Sequence, residues 1–297
     1  MRMAPLAPAF DPDTLLAAVA AEGRAVDLAG AVVHGHGWEN AVLETADGWI
    51  LRFPRNDEVP FAREVAVLDR VAQRLPVPVP RVRWTGAGTR FAAYRKLVGL
   101  DFDRAAYLAA PASARDALAA SLAGFLAAMH VALTPAEVDE LGVPPVDHPR
   151  TLDVITRHWA RVPGPHRSLV RPLLDRFAEG WVAGAVAGPT VPLHNDFHTG
   201  NMVFAPPGPV SVLAGVWDFS CVQVGEPTFD LRYLDGGPRD LLDRVAARYE
   251  GLTGRGVDVA AAVVANRVEN VLDAVETDRP GLWDAALGRW TQTDAGR

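Results

Sequence analysis

Lysine and cysteine are almost missing from this chain of 297 residues: Lys96 and Cys221 stand alone, against 28 arginines. A single cysteine excludes an intramolecular disulfide and a cysteine-based zinc site, in keeping with a reducing compartment. No run approaches the 18 or so consecutive apolar residues of a membrane span. The opening "MRMAPLAPAFDPD" is too short and too broken by proline for a signal peptide, so a cytoplasmic protein with no membrane partner is expected. A surplus of positive charge is also lacking. The formal net charge of −7 argues against a nucleic-acid partner and leaves room for a cationic small molecule, although such a charge often serves solubility alone. One lysine, finally, constrains any mechanism that calls for lysine.

What is present is ordinary for a packed domain: 49% apolar and 22% charged residues. The length suits one large domain or two lobes sharing a cleft, as a monomer or weak dimer. The pattern changes near residue 98. Before it, "AVVHGHGWENAVLETADGWILRFPR" alternates apolar runs with turns, and Asp47-Gly48 is a hairpin signal. Val65, Leu68, Val71, Ala72 and Leu75 recur at helical spacing, predicting an amphipathic helix that "PVPVP" stops. Short strands in "RVRWTG" and "RFAAYRKL" complete a small α+β lobe over residues 1–98. Residues 99–297 read as mostly helical: Leu118, Leu122, Phe125, Leu126 and Met129 mark a core helix, with further helices at about 167–186, 238–253, 258–276 and 280–292. The β-like runs "NMVFA" and "VSVLAGVWDF" flank the turn "PPGP". A hairpin there brings the 196–201 loop and Asp218 to one end.

That loop, "LHNDFHTGN", carries the chemistry. Asp196, Asn201 and Asp218 offer only oxygen ligands, which suits Mg²⁺, a hard cation that keeps waters or phosphates among its ligands. Phosphoryl transfer needs this kit: a carboxylate for the attacking hydroxyl, and an Asn and an Asp to hold the metal on nucleotide phosphates. Alone, Asp-x4-Asn is weak evidence, since both residues crowd loops for turn and capping reasons.

"HNDFHTGN" resembles the catalytic loop of aminoglycoside and macrolide phosphotransferases, written H-G-D-hydrophobic-x-x-x-N, and "GVWDFSCVQVGEPTFDL" is similar to their metal-binding segment. Two positions depart from the motifs. Asn195 replaces the loop glycine, a variant associated with the 2''-aminoglycoside kinases, and Glu226 stands at the first acidic position of D-P-x-x-D-L. "WILRFPR" and "REVAVLDRVAQRLPVPVPRVRWTG" are similar to the third strand, Glu-bearing helix and fourth strand of the same enzymes. The resemblance spans roughly residues 34–235. It implies a bilobal protein-kinase-like fold that uses Mg²⁺ and ATP or GTP. Asp196 is then the catalytic base, Asn201 and Asp218 the metal ligands, and Glu64 the helix carboxylate paired with the strand cation. That cation is Arg52 where most kinases have lysine; "LRFPR" matches an L-R-x-P-R context of macrolide kinases. Gly35 and Gly37 lie where backbone amides approach the phosphates, with a plain turn an equal reading. Arg95, Lys96, Leu97 and Val98 fall at the hinge that holds the base. Asp230 supports the catalytic loop, or else caps a helix.

The acceptor is expected to be a hydroxylated small molecule, because only "FSCVQVGEPTF" separates Asp218 from Asp230, leaving no platform for a peptide. Glu269, Asp273 and Glu276 fall on one helix face, attractive for a polyamine-like substrate, though a solvated face explains them too. Asp235 is the one acidic residue left where a denser run would mark an aminoglycoside site. Trp283 and Trp290 suit an apolar wall or simple helix packing. Two alternatives stand beside the antibiotic kinase. Arg52 raises a pseudokinase that binds nucleotide without turnover, and His194, Asp196 and His198 alternate as in a metallohydrolase.

Overall fold

The computed structural model describes residues 11–24, 26–34, 40–55, 58–186, 188–205, 212–277 and 283. Helix α1 (Pro12–Ala21), which hydrophobic periodicity did not reveal, starts where the Asp11 carboxylate accepts from the amides of Asp13 and Thr14 and Pro12 supplies a helical φ. It covers one face of an antiparallel sheet. The strands are β1 (Val32–His34), β2 (Asn40–Glu44), β3 (Trp49–Pro54), β4 (Trp84–Thr85) and β5 (Ala92–Arg95), in the order β1-β2-β3-β5-β4. Gly48, at φ 86°, turns the β2–β3 hairpin as Asp47-Gly48 predicts.

Strand alternation sorts the sheet's side chains. Ala41, Leu43, Leu51, Phe53 and Ala93 meet Leu15 and Val19 of α1 in a small core. The register puts Val42, Ile50, Arg52, Ala92 and Tyr94 on the other face.

Helix α2 (Glu58–Val71) follows β3, and the rest of the chain is mainly helical. Its helices are α3 (Arg104–Ala109), α4 (Ala112–Met129), α5 (Pro135–Leu141), α6 (His148–Arg157), α7 (Arg167–Phe177), α8 (Pro227–Asp230), α9 (Arg239–Thr253) and α10 (Val259–Thr277). The expected 167–186 helix ends early, passing into a wider turn over Ala178–Val182 closed by Ala183 N donating to Ala178 O. The expected helix at 280–292, Trp290 and the "PPGP" turn lie outside the described residues; Trp283 is buried.

The apolar stripe of α2 does not join the sheet's core. Val67, Leu68 and Val71 belong to the large core that also holds residues of α4 and α9, while Val65 is only half buried. Ion pairs add to this. Arg74 forks the Glu137 carboxylate of α5 at 2.8 and 2.7 Å, and Arg70 reaches Glu140 at 2.7 Å. These contacts lie at the surface, where water and salt screen them, so they fix the position of α5 more than they stabilise the fold. The chain then leaves β5 and crosses beside the catalytic hairpin. Leu100 and Phe204 exchange backbone bonds of 2.8 Å each. The crossing requires glycine at 99, where a Cβ would lie 2.6 Å from Val203 Cβ.

Two further antiparallel pairs complete the fold: β6 (Val191–Leu193) with β9 (Gln223–Gly225), and β7 (Met202–Phe204) with β8 (Leu213–Val216). The second is the expected hairpin. The first was not apparent in the sequence, since three-residue strands carry no usable period.

Candidate active site

The loop from His194 to Asn201 links β6 to β7, and the loop from Trp217 to Val222 links β8 to β9, so both emerge at one end of the paired strands. Trp217 N donates to Asn201 O at 3.0 Å and ties them together. Asn195 and Asp218 are the non-glycine residues with left-handed backbone among those described, each at φ 64°. This explains the first departure from the motif: the residue before Asp196 needs a conformation open to glycine, and asparagine is the side chain that tolerates it next best.

Asn195 is gripped on every polar group but one. Its N–H donates to Asp230 Oδ1 at 2.6 Å, its C=O accepts from Arg232 Nη2 at 2.9 Å, and its Nδ2 donates to Gln223 Oε1 at 2.6 Å. Its Oδ1 is buried without a partner. Asp230 is fully buried and also accepts from His194 N at 2.9 Å and contacts His130 Nε2 at 3.1 Å. Burial would raise its carboxyl, but the His130 bond and charge hold it below the usual range. Asp230 therefore supports the loop; its side chain caps no helix.

Asp196 emerges from this turn half buried. Asn201 Nδ2 donates to its Oδ2 at 2.7 Å and to its backbone O at 3.0 Å, and His198 Nε2 lies 3.5 Å from the same Oδ2. Oδ1 of Asp196 is left for an incoming hydroxyl. His194 is buried with both ring nitrogens engaged: Nε2 on Trp217 O at 3.0 Å, and Nδ1 on the Asp196 N–H at 3.3 Å. Burial lowers its pKa, so it is a neutral scaffold residue. The metallohydrolase reading fails here, because His194 has no nitrogen left for a metal. No group of three or more His, Cys, Asp or Glu suited to a metal exists among the described residues.

Arg52 crosses the cleft. Buried on β3, it pairs through Nη1 with Glu64 of α2 and through Nη2 with Asp218 Oδ1 at 2.6 Å. With its amide oxygen turned toward the guanidinium, Asn40 accepts from Nε at 2.9 Å and Nη2 at 2.6 Å. Burial works against the Arg52 charge, but Glu64 and then Asp218 outweigh it and raise the pKa. For Asp218, burial pushes upward and Arg52 and the Ser220 hydroxyl, 2.7 Å from Oδ1, bring it below its ordinary value. The residues present fit a Mg²⁺ ion. Asn201 has its Nδ2 committed to Asp196 and Asp218 has its Oδ1 committed to Arg52 and Ser220, which leaves each with an oxygen for a hard cation.

The acidic face of α10 turns toward this loop. The Glu269 and Asp273 carboxyls are raised, first by burial and also by the negative charge of Asp196. Asp273 keeps exposed surface yet has protein on most sides, and its pKa is pushed up to about 7. Glu276 lies a turn further on, where Arg150 and His158 are its protein counter-charges. Asp235 accepts from Asn266 of α10 at 3.3 Å. Tyr233, between them, meets the His198 ring edge-on at 6.1 Å; no spacing in the sequence pointed to it. At the expected hinge, Arg95 bonds Asp47 O at 2.7 Å, Lys96 pairs with Glu44 at 2.5 Å, Leu97 lies by Gly215, and Val98 is 90% exposed. Gly35 and Gly37 lie outside the described residues.

Comparison with known proteins accords with this geometry. The solved GDP and kanamycin complex of APH(2")-IIia superposes with a TM-score of 0.78 over 96% of this chain and 99% of that one, at 18% identity. The streptomycin-ATP-APH(2")-IIa ternary complex gives 0.67 over 95% and 97%, at 17%. The macrolide 2'-phosphotransferase MphH from Brachybacterium faecium, as apoenzyme, gives 0.64 over 92% and 96%, at 22%. No curated protein sequence matches the chain. The family model APH, described as the phosphotransferase enzyme family, matches residues 30–263, which span the strand cation, the catalytic loop and the metal-binding segment alike, and the chain belongs to that family.

Proposed function

We propose that this enzyme transfers the γ-phosphoryl group of ATP or GTP to a hydroxyl of an antibiotic-like small molecule of aminoglycoside or macrolide type. The observation that carries this reading is the convergence of Asp196, Asn201 and the Arg52–Glu64–Asp218 chain at the end of the paired strands. Asp196 orients the acceptor hydroxyl and takes its proton at Oδ1. Arg52, held by Glu64, supplies the permanent positive charge that phosphate oxygens require, so the pseudokinase alternative gains no support. Asn201 and Asp218 would hold Mg²⁺, which when bound neutralises charge on the transferring phosphate. The hinge residues Arg95 to Val98, with Gly35 and Gly37, would hold the nucleotide.

A cation-bearing acceptor is favoured over a neutral one. Glu269 and Asp273 feel the charge of Asp196, with Asp235 joined to the same helix through Asn266, and carboxyls raised first by burial and then by one another are relieved by an ammonium group. Kanamycin and streptomycin occupy the complexes of two similar structures, which supports the same choice. Lobes divided at residue 98 and a cytoplasmic monomer or weak dimer without nucleic acid complete the proposal. No helix among the described residues is long and apolar enough to cross a membrane.

The test is mass spectrometry of aminoglycosides and macrolides incubated with the protein, Mg²⁺ and ATP or GTP, alongside Asp196→Ala. One compound should gain a phosphate with the wild type alone. Equal transfer by the variant would remove Asp196 from the role of base, and failure of either nucleotide to bind would overturn the reading.

A further inference from the structure

Arg232 has no part in the chemistry above, yet it is one of the most buried charges in the protein, at 2% exposure. Among the described residues no carboxylate lies within ion-pair distance of it. Nη1 donates to Phe229 O at 2.8 Å, Nη2 donates to Asn195 O at 2.9 Å, and Nε is buried without a partner. The guanidinium lies 3.9 Å from the Phe229 ring centre and 4.1 Å from that of Tyr233. Two aromatic faces and two carbonyls hold a full charge in place, an arrangement that fits a planar fork and not a point charge.

We propose that Arg232 is a positioning residue for phosphoryl transfer: by joining the carbonyls of Phe229 and Asn195 it holds the left-handed turn that presents Asp196. The turn needs a grip on this side. Asp230 takes the N–H groups of His194 and Asn195, and the peptide after Asn195 is held on its N–H side by the long 3.3 Å bond from Asp196 N to His194 Nδ1, so the 2.9 Å bond to its carbonyl is the shorter of its two anchors. Rotation there moves Asp196 directly, since that peptide carries its nitrogen. Lysine, with one ammonium on a flexible stem, cannot join both carbonyls in the space between the two rings. The charge has a second effect. Asp196, Glu269 and Asp230 face Arg232, so it offsets part of the negative potential at the acceptor side, and it helps keep the nearby His148 neutral.

The turnover arm of the test rests on the phosphotransfer reading; the exchange arm does not. Arg232→Lys and Arg232→Met are compared with wild type by hydrogen exchange across the peptide containing residues 191–201, and by kinetics with kanamycin and Mg²⁺–GTP or Mg²⁺–ATP. Both variants should exchange the 194–196 amides at least about tenfold faster while the α4 and α9 amides keep wild-type protection. The kcat should fall by roughly a hundredfold with the nucleotide KM unchanged, as expected for a misplaced catalytic group. Wild-type exchange in both variants would overturn the proposal, as would full activity of Arg232→Lys, which would make charge and not the fork the requirement. Wild type that shows the exchange contrast with the variants but phosphorylates nothing would count against phosphotransfer and leave the positioning role supported.

Discussion

Replacing Asn195 by alanine or by glycine separates two effects that act on one residue. Both changes remove the 2.6 Å bond from Nδ2 to Gln223 Oε1, worth about 1 kcal/mol, and both remove the buried Oδ1 that lacks a partner, which returns part of that loss. The backbone separates them. At φ 64° alanine adds strain of roughly 1–2 kcal/mol, whereas glycine adds none. Glycine loses more conformational entropy on folding, about 0.5–1 kcal/mol, which narrows the gap without reversing it. Asn195→Ala is therefore expected to cost about 2 kcal/mol, and Asn195→Gly about 1 kcal/mol. Urea unfolding at constant m-value should give midpoints in the order wild type, Gly, Ala, and turnover should follow the same order, because an alanine turn relaxes by shifting Asp196. An alanine variant as stable as the glycine variant would refute the claim that backbone conformation selects the residue here.

Three further outcomes follow from the buried charges. Glu64→Leu should destabilise the protein by about 3 kcal/mol, while the double variant with Arg52→Met recovers only part of it, since that change removes the underpaired charge but also takes the cation from Asp218 and Asn40; a double variant as stable as wild type would contradict this in a denaturation cycle. Asp218→Ala should weaken Mg²⁺–nucleotide binding at least about tenfold, by removing a metal ligand and a partner of Arg52 together, which calorimetry can check directly. The Asp273 carboxyl, raised to about 7, is neutral below that pH and charged above it. Its cost to folding builds from the ordinary carboxylate value of 3.8, where only the unfolded chain ionises, up to about 7 and is complete above that, so Asp273→Asn should gain stability over wild type at pH 8 and little at pH 4. A cationic acceptor should show the opposite trend, its KM falling from pH 6 to pH 8 in wild type and less so in the variant. A flat wild-type profile would exclude Asp273 from the acceptor site.

How much of this was legible depended on how local the signal was. Asp196, Asn201 and Asp218 were readable because the loop and its hairpin lie within one short stretch, and turn residues mark its ends. The Arg52–Glu64 pair was implied by the resemblance of "WILRFPR" and the helix after it to the family's third strand and Glu-bearing helix, and by nothing in the spacing itself. Asn195 stood out as a departure, but its reason lay in a backbone angle that sequence states only indirectly. Arg232 and Tyr233 were invisible: the bond to Asn195 O spans 37 positions, and nothing in "DLRYLD" distinguishes a buried fork from a surface arginine. Val67 was missed as a core residue and Val65 included, because helical spacing gives the period of an apolar stripe but not which residues at its edge meet the core.

That allegiance of α2 has a consequence for the order in which the protein assembles during synthesis. The sheet and α1 are complete once residue 95 has emerged, and their small core needs nothing further along the chain. Val67, Leu68 and Val71 belong to a core that also holds Leu241, Leu242 and Val245, made some 170 residues later. Until then the helix that carries Glu64 has no place to settle, and Arg52 waits in a finished sheet without its partner. A chain truncated at residue 100 is accordingly expected to protect β2 and β3 from protease while α2 is cut, and one extended through α10 to protect both.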